Sequence, residues 1–147
     1  RDARPFPADG LTQMSGESDI EKLLASLAPA LDPEPYVFAT LPPGEEVPDG
    51  IAPLATFRES EGLSLVVQAA PWRAAGHAGS ADQARLTMMV HSSLEAVGMT
   101  AALAKALTEA GISANVVAAY HHDHIFVPWA RRHDALAALE ALARRHR

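Results

Sequence analysis

The 147-residue sequence predicts an α+β fold made of two similar halves. Three observations lead to this prediction. Short segments rich in β-branched and aromatic residues alternate with segments whose apolar residues recur three and four positions apart. Clusters of proline and glycine separate these segments. The second half has the order strand, helix, strand, strand, helix, and the first half has the order helix followed by three strands. The length suits one ordinary domain or two very small ones.

The first half begins with a polar lead-in at 1–17, followed by a short amphipathic helix that we predict at 18–28. Ser18 and Glu21 form the capping-box pattern that favours a helix start, and Pro29 limits the helix at its end. Three short segments after it are typical of strands, since turn residues bound each of them. The strands are predicted at 36–41, 52–58 and 63–68, with a loop at 42–50, a hairpin turn at 59–62 and a helical turn or linker at 71–79.

The second half contains the clearer pattern. A helix is predicted at 98–110, because its apolar residues form one stripe and Gly111 follows where a glycine commonly closes a helix. Proline ends the last strand at Pro128. The remaining predictions are strands at 84–91, 112–121 and 124–127, a loop at 92–97, a turn at His122 and Asp123, and a final helix at about 131–144.

Both halves are pieces of a β-α-β-β-α-β plan, the ferredoxin-like arrangement. The second half lacks the last strand of that plan, and it could take one from the first half or from a second subunit. An antiparallel sheet of this kind carries its helices on one face and leaves the other face to be covered. We therefore expect two ferredoxin-like halves that pack into one unit.

Composition excludes several classes of protein. No apolar run approaches the ~20 residues of a membrane-spanning helix, and we expect that the first ten residues are not a secretory signal, since they contain no apolar stretch. The chain contains no cysteine, which excludes disulfides, thiolate metal sites and cysteine nucleophiles. Twelve basic residues against 18 acidic ones give a net charge of −6, the opposite of the balance usual in proteins that bind nucleic acid. We expect a cytoplasmic protein that binds neither membranes nor nucleic acid.

The most informative stretch is 86–127, where a strand leads through a polar loop into a helix that opens at Gly98. A helix N-terminus has unpaired N–H groups and a partial positive charge, so it binds carboxylates and other anions. Glycine at this position would let a ligand approach the backbone closely. Asn115, early on the next strand, could contact an ammonium or a carboxylate group. The plainer interpretation is that Gly98 only starts a helix and that Asn115 is an ordinary polar residue.

Three strings in this part of the chain resemble the ACT domain family. They are VHSSLEAVGMTAALAKALTEAGISANVVAAY, HHDHIFVP and DALAALEAL. The sequence looks like the paired-ACT type of small bacterial proteins and of the regulatory parts of aspartate kinases. The resemblance is strong over 85–143 and weaker over 15–75. It implies an N-terminal extension at 1–14, an N-terminal ACT-like half at 15–79 and a C-terminal ACT domain at 80–147.

The resemblance implies a regulatory, non-catalytic homodimer that binds a small effector, usually an amino acid, and needs no cofactor. The effector's carboxylate would lie on the N–H groups of 98–100, and its ammonium would meet Asn115 and carbonyl groups near Ser113. Amino-acid-binding relatives often carry aspartate at the position of Asn115, and here an amide replaces that charge. Met99 and its neighbours would select the effector's side chain. The expected ligand-binding residues are Ala96, Val97, Gly98, Met99 and Thr100 in the loop and Ser113, Ala114 and Asn115 on the facing strand.

Two other functions stay open. The chain could be a structural or oligomerisation module without a ligand, and the asparagine at 115 favours that alternative. It could also bind a metal through the turn of His121, His122, Asp123 and His124, since two imidazoles and a carboxylate can hold zinc, nickel or iron. On a strand His122 and His124 would share a face. The spacing matches no established zinc motif, however, and a solvated turn explains the same residues.

Overall fold

The computed structural model of the protein describes residues 17–90 and 97–147. In these two ranges the chain forms one antiparallel sheet of seven strands, with four α-helices and a single 3-10 turn. The strands are β1 (Pro29–Leu31), β2 (Tyr36–Leu41), β3 (Ala55–Glu59), β4 (Gly62–Gln68), β5 (Gln83–Met88), β6 (Asn115–Ala118) and β7 (Asp123–Pro128). The helices are α1 (Glu17–Ala25), α2 (Ala69–Ala74), α3 (Met99–Glu109) and α4 (Arg132–Arg145), and the 3-10 turn is Trp129–Arg131.

Both halves of the chain share the central strand β5. The order across the sheet is β3-β4-β2-β5-β7-β6, and β1 also pairs with β5. Tyr36 of β2 lies opposite Gln83, and Leu31 of β1 lies opposite Leu86, so the two short strands follow one another along the same edge of β5. The chain between them contains Pro33 and Pro35, which have no N–H group to donate to a neighbouring strand and therefore interrupt the pairing.

The second half obtains its missing strand from the first half. Strand β1 lies beside β5 in the place that the fourth strand of a ferredoxin-like unit occupies, which gives the local order β1-β5-β7-β6. Helix α1, which precedes β1, packs against α3 and α4. Of the two sources considered from the sequence, the structure therefore shows the first half and not a second subunit.

The helices lie on one face of the sheet, as expected for ferredoxin-like halves. Helices α1, α3 and α4 cover β5 and β7, where Leu86 and Ile125 are fully buried beneath them. Helix α2 covers β2 and β4 on the same face through Trp72, which is 1% exposed. The α+β class and the two-half architecture predicted from the sequence are confirmed. Among the described helices, none has the length and apolar character needed to cross a membrane.

The boundaries of β6 differ from the prediction of a strand at 112–121. Gly111, with φ +72°, donates its N–H to Thr108 O at 2.9 Å, and Ile112 donates to Leu107 O at 2.9 Å. These two bonds form the Schellman motif that closes α3, so Ile112 belongs to the helix cap and not to a strand. Strand β6 therefore begins only at Asn115.

The turn after β6 also lies earlier than predicted. Ala119 donates its N–H to His122 O at 3.1 Å, which closes the turn. Asp123 then pairs with Ala118 as the first residue of β7. The prediction that Asp123 lies in the turn is therefore wrong, because the turn is complete one residue before it.

Candidate ligand-binding site

Helix α3 opens with an accessible backbone. Gly98 is its N-cap, with φ +91° in the left-handed region that glycine adopts without strain. A Cβ atom placed on Gly98 would meet no heavy atom of residues 17–90 and 97–147 within 4 Å. The carbonyl of Gly98 accepts the N–H of Ala102 at 2.9 Å, which is the first hydrogen bond of the helix. The N–H groups of the first turn, before Ala102, have no acceptor within the helix. That first turn contains no acidic side chain, so an anion would meet no repulsion from α3 itself.

The predicted loop residues fall into two groups in the structure. Val97 is 82% exposed, and Gly98 and Thr100 are also exposed. Met99 is only 3% exposed, because its side chain packs into the core beneath α3. A ligand at this helix end would therefore meet the backbone N–H of residue 99 and not its side chain. Ala96 lies outside the described residues.

The predicted residues of the facing strand lie at the other end of α3. Asn115 is exposed and lies opposite Phe126, which in turn lies opposite Arg85 near the start of β5. Gly98, by contrast, follows the end of β5 in the chain. Since α3 has 11 residues, these two parts of the predicted site are separated by about 16 Å along the helix axis. Ser113 is exposed beside Asn115, and Ala114 is half-buried against the core.

That separation decides what one chain can bind. The carboxylate and the ammonium of an α-amino acid are joined through a single carbon atom, so one molecule cannot reach both ends of α3. Within a single copy, the structure brings Val97 to Thr100 together and Ser113 to Asn115 together. It does not bring the two groups to each other.

A polar network on the face of the sheet opposite the described helices was missed by the sequence analysis. The hydroxyl of Tyr36 donates to Asp32 Oδ2 at 2.9 Å, and Arg85 Nη1 lies 3.5 Å from the same oxygen. Arg85 Nε donates to His124 Nδ1 at 3.3 Å, and Thr87 Oγ1 lies 3.0 Å from that nitrogen. The network joins the β1–β2 connection to β5 and β7, where the two halves meet. Its members are far apart in the sequence, and only the strand register brings them together.

His122, just before β7, and His124, on β7, have different hydrogen-bond partners. Burial lowers the pKa of His124, and the positive charges of Arg85 and His122 lower it further. The neutral ring can therefore accept the hydrogen bond from Arg85. His122 Nδ1 lies 3.4 Å from the carbonyl oxygen of Val90. Burial raises the pKa of Asp123. No cluster of three or more His, Asp or Glu side chains is placed to hold a metal ion within 17–90 and 97–147.

The chain matches the ACT domain family twice, over residues 15–87 and over residues 81–141. It belongs to the ACT domain family, and the paired arrangement predicted from the sequence is confirmed. The domains of this family are regulatory, non-catalytic modules that generally bind small effectors such as amino acids. The two matches overlap in β5, the strand that both halves share.

Solved structures agree with this assignment. A Vibrio cholerae protein of unknown function, described as a possible transport protein, is 47% identical, with a TM-score of 0.77 over 88% of this chain and 99% of that one. A protein from Agrobacterium tumefaciens is 18% identical, with a TM-score of 0.63 over 75% of this chain and 84% of that one. The ligand-free regulatory subunit of aspartate kinase from Thermus thermophilus is 13% identical, with a TM-score of 0.59 over 80% and 97% of the two chains. The last two show likeness of fold alone. No curated protein matches the chain.

Proposed function

We propose that this ACT protein is a cytoplasmic, non-catalytic sensor that binds an amino acid between two copies of the chain. The observation that carries the proposal is the open N-terminus of α3. No described residue covers its glycine cap, and no acidic side chain of its first turn opposes an anion. These features suit a carboxylate, which charge-assisted hydrogen bonds from backbone N–H groups would hold.

The separation along α3 supports a homodimer. A ligand held at Gly98 of one copy needs a partner for its ammonium, and Asn115 of the same copy is too far away. Among the described strands, β6 lies at one edge of the sheet; it begins with exposed Asn115, and exposed Ser113 lies two residues before it. A second copy placed against this edge would supply the amide oxygen of its own residue 115 and nearby carbonyl groups. Ligand binding would then favour one arrangement of the two copies over another, which is the coupling that regulation requires.

The test is a thermal-shift screen of the purified protein against the common amino acids and divalent metals. A ligand present at about 100 times its dissociation constant stabilises the protein by roughly 2.7 kcal/mol, which raises the melting temperature by several degrees. We expect one amino acid, or a few related ones, to give this shift. Sedimentation with and without that ligand should show a dimer whose stability increases on binding.

A matched pair of variants localises the binding. Gly98→Leu and Gly111→Leu replace glycines at the two ends of α3, both with positive φ and open space around the Cβ position. Each substitution should lower the free energy of unfolding by a similar ~1–2 kcal/mol, because leucine is strained in the left-handed backbone conformation. Only Gly98→Leu should lose the amino-acid response. An equal response in both variants would refute the site, and a panel without any amino-acid response would favour a structural module. A response to metals alone would favour the histidine turn.

A further inference from the structure

A cleft of about 730 Å³ lies on the face of the sheet opposite the described helices. Strand register explains its shape, because the small side chains of Ser64 on β4 and Ala55 on β3 leave room between Phe38 on β2 and Phe57 on β3. Two rows of residues cross β2, β4 and β3 at this point: Thr40, Ser64 and Phe57 in one row, and Phe38, Val66 and Ala55 in the next. Val117, from the second half of the chain, completes the lining beyond Phe38.

The wall formed by Phe38 is fixed before any ligand arrives. Its ring packs edge-to-face on Phe126 with centroids 5.2 Å apart. Its backbone N–H donates to Ser80 Oγ at 2.9 Å, and its carbonyl accepts the N–H of Ser80 at 2.8 Å. Because the Phe38 side chain and backbone are already held in place, little conformational entropy is lost there when a ligand binds.

On the β3 side of the cleft, the side chain of Phe57 is largely exposed. Phe57 is 74% exposed. This is the highest exposure of any phenylalanine or leucine among the described residues. A phenyl ring in this state gains from contact with an apolar surface. Its position across the cleft from Phe38 allows a flat ring to contact both walls, and aromatic pairs interact favourably beyond the area that they bury.

The chemistry of the lining selects against charge. None of the described lining residues is ionisable, and the hydroxyls on the cleft side of the strands are those of Thr40 and Ser64. Ser64 donates its hydroxyl to the carboxylate of Glu59 at the edge of the cleft. A zwitterion would leave its charges unpaired there, and an anion would also meet the field of Glu59. The cleft therefore differs in kind from the anion-binding end of α3.

We propose that this cleft is a second ligand site, separate from the amino-acid site, and that it takes an uncharged, largely apolar small molecule with an aromatic ring. Its volume lies within the range usual for small-molecule sites, which are concave, mostly apolar and supplied with a few polar groups. Since its lining comes from both halves of the chain, an occupant would contact both β3 and β6.

The experiment titrates the protein with N-phenyl-1-naphthylamine, a neutral dye that fluoresces in apolar sites, and with 8-anilino-1-naphthalenesulfonate, its anionic counterpart. We expect saturable binding of one neutral dye per chain, at least about tenfold tighter than binding of the sulfonate because the cleft offers that charge no partner. Binding of the sulfonate as tight as that of the neutral dye would overturn the assignment of an uncharged ligand.

Three variants locate the dye. Ala55→Phe fills the cleft and Phe57→Ala removes a wall, and each should weaken neutral-dye binding about tenfold or more. Tyr120→Ala is the control, because it removes a ring of similar exposure, 67%, that does not line the cleft. Circular dichroism confirms that each variant is folded. Equal binding to all variants would overturn the proposal.

Sedimentation separates the proposal from the main competing explanation, in which a second copy covers this face. We expect Phe57→Ala to leave the oligomeric state unchanged. A dimer that excludes the neutral dye and that Phe57→Ala converts to a monomer would overturn the proposal and identify an interface. Failure of the amino-acid screen does not affect this test, since the dye titration does not use α3.

Discussion

At the scale of single residues, Met99 and His124 show how burial changes the role of a side chain. The sequence places Met99 in a ligand loop, yet its apolar side chain completes the core beneath α3. His124 belongs to the turn that the sequence offers as a metal site, yet its Nδ1 faces Arg85 and Thr87 on the neighbouring strand β5. Both outcomes depend on which way a side chain points, and strand and helix register decide that direction.

His124 should make the stability of the fold pH-dependent. Its pKa is lowered from the ordinary value of 6.5, chiefly by burial. The neutral ring therefore contributes stability above that pH, and the contribution is lost as the pH falls through the folded-state pKa. We expect His124→Gln, which cannot be protonated, to lose less stability than the wild type between about pH 7.5 and pH 5 in urea unfolding.

The control for this prediction is His133→Gln, which replaces an exposed histidine on α4. It should keep the wild-type pH dependence. Asp123 acts in the opposite direction, since burial raises its pKa and its contribution is lost as the pH rises. Asp123 is present in all three proteins, so the comparison between them isolates His124. Identical pH profiles for His124→Gln and the wild type would contradict the prediction.

At the scale of elements, helix α1 and strand β1 lie early in the sequence but pack with the second half. Leu23, Leu24 and Leu27 of this segment are buried in the same cluster as α3 and α4. The spacing of apolar residues in the sequence predicts that α1 is amphipathic, but it does not show that α1 packs against α3 and α4. The division at residue 80, inferred from the resemblance, stays a prediction, and the packing of α1 shows that contacts cross it.

The packing of α1 predicts a large effect from a single truncation. Leu24→Ala removes a side chain that is 3% exposed between α1 and the C-terminal helices. It should destabilise the protein by ~2–5 kcal/mol, the cost of a cavity in a well-packed core. Lys22→Ala, an exposed position on the same helix, should change stability by less than about 0.5 kcal/mol. Equal midpoints in urea for the two variants would show that α1 does not stabilise this core.

At the scale of the whole molecule, the shared strand β5 joins the two halves. Strand β2 pairs with β5 through Tyr36, and β1 pairs with the same edge of β5 through three residues. Strand β7 pairs with the other edge of β5. The network of Asp32, Tyr36, Arg85 and His124 lies across the same junction. A half that unfolded alone would expose one edge of β5 and break this network.

We therefore expect the halves to unfold together, and the two tryptophans can test it. Trp72 lies in the core of the first half and Trp129 packs against the core of the second. In Trp129→Phe the remaining fluorescence reports the first half, and in Trp72→Phe it reports the second. Within each variant, the urea transitions by fluorescence and by far-ultraviolet circular dichroism should coincide. A fluorescence midpoint separate from the dichroism midpoint in either variant would show that the halves unfold independently.

Local patterns in the sequence predicted most of the elements, but not β1, which is only three residues long. The apolar stripe of α3, closed by Gly111, and the β-branched segments of β2 and β4 have the observed structure to within a few residues. Such patterns reflect backbone preferences and periodic burial, which act over a few residues. Together with the resemblance to ACT domains, they gave the fold class and the family.

The tertiary structure alone decided which elements meet. Strand β1 completes the second half, because the prolines after it stop one strand and let the chain start another along the same edge of β5. The two parts of the predicted amino-acid site lie at opposite ends of α3, and the cleft between Phe38 and Phe57 exists only through pairing across β4. These features depend on contacts between residues distant in the chain. Local periodicity carries no information about such contacts, since it records which residues are buried and not what they are buried against.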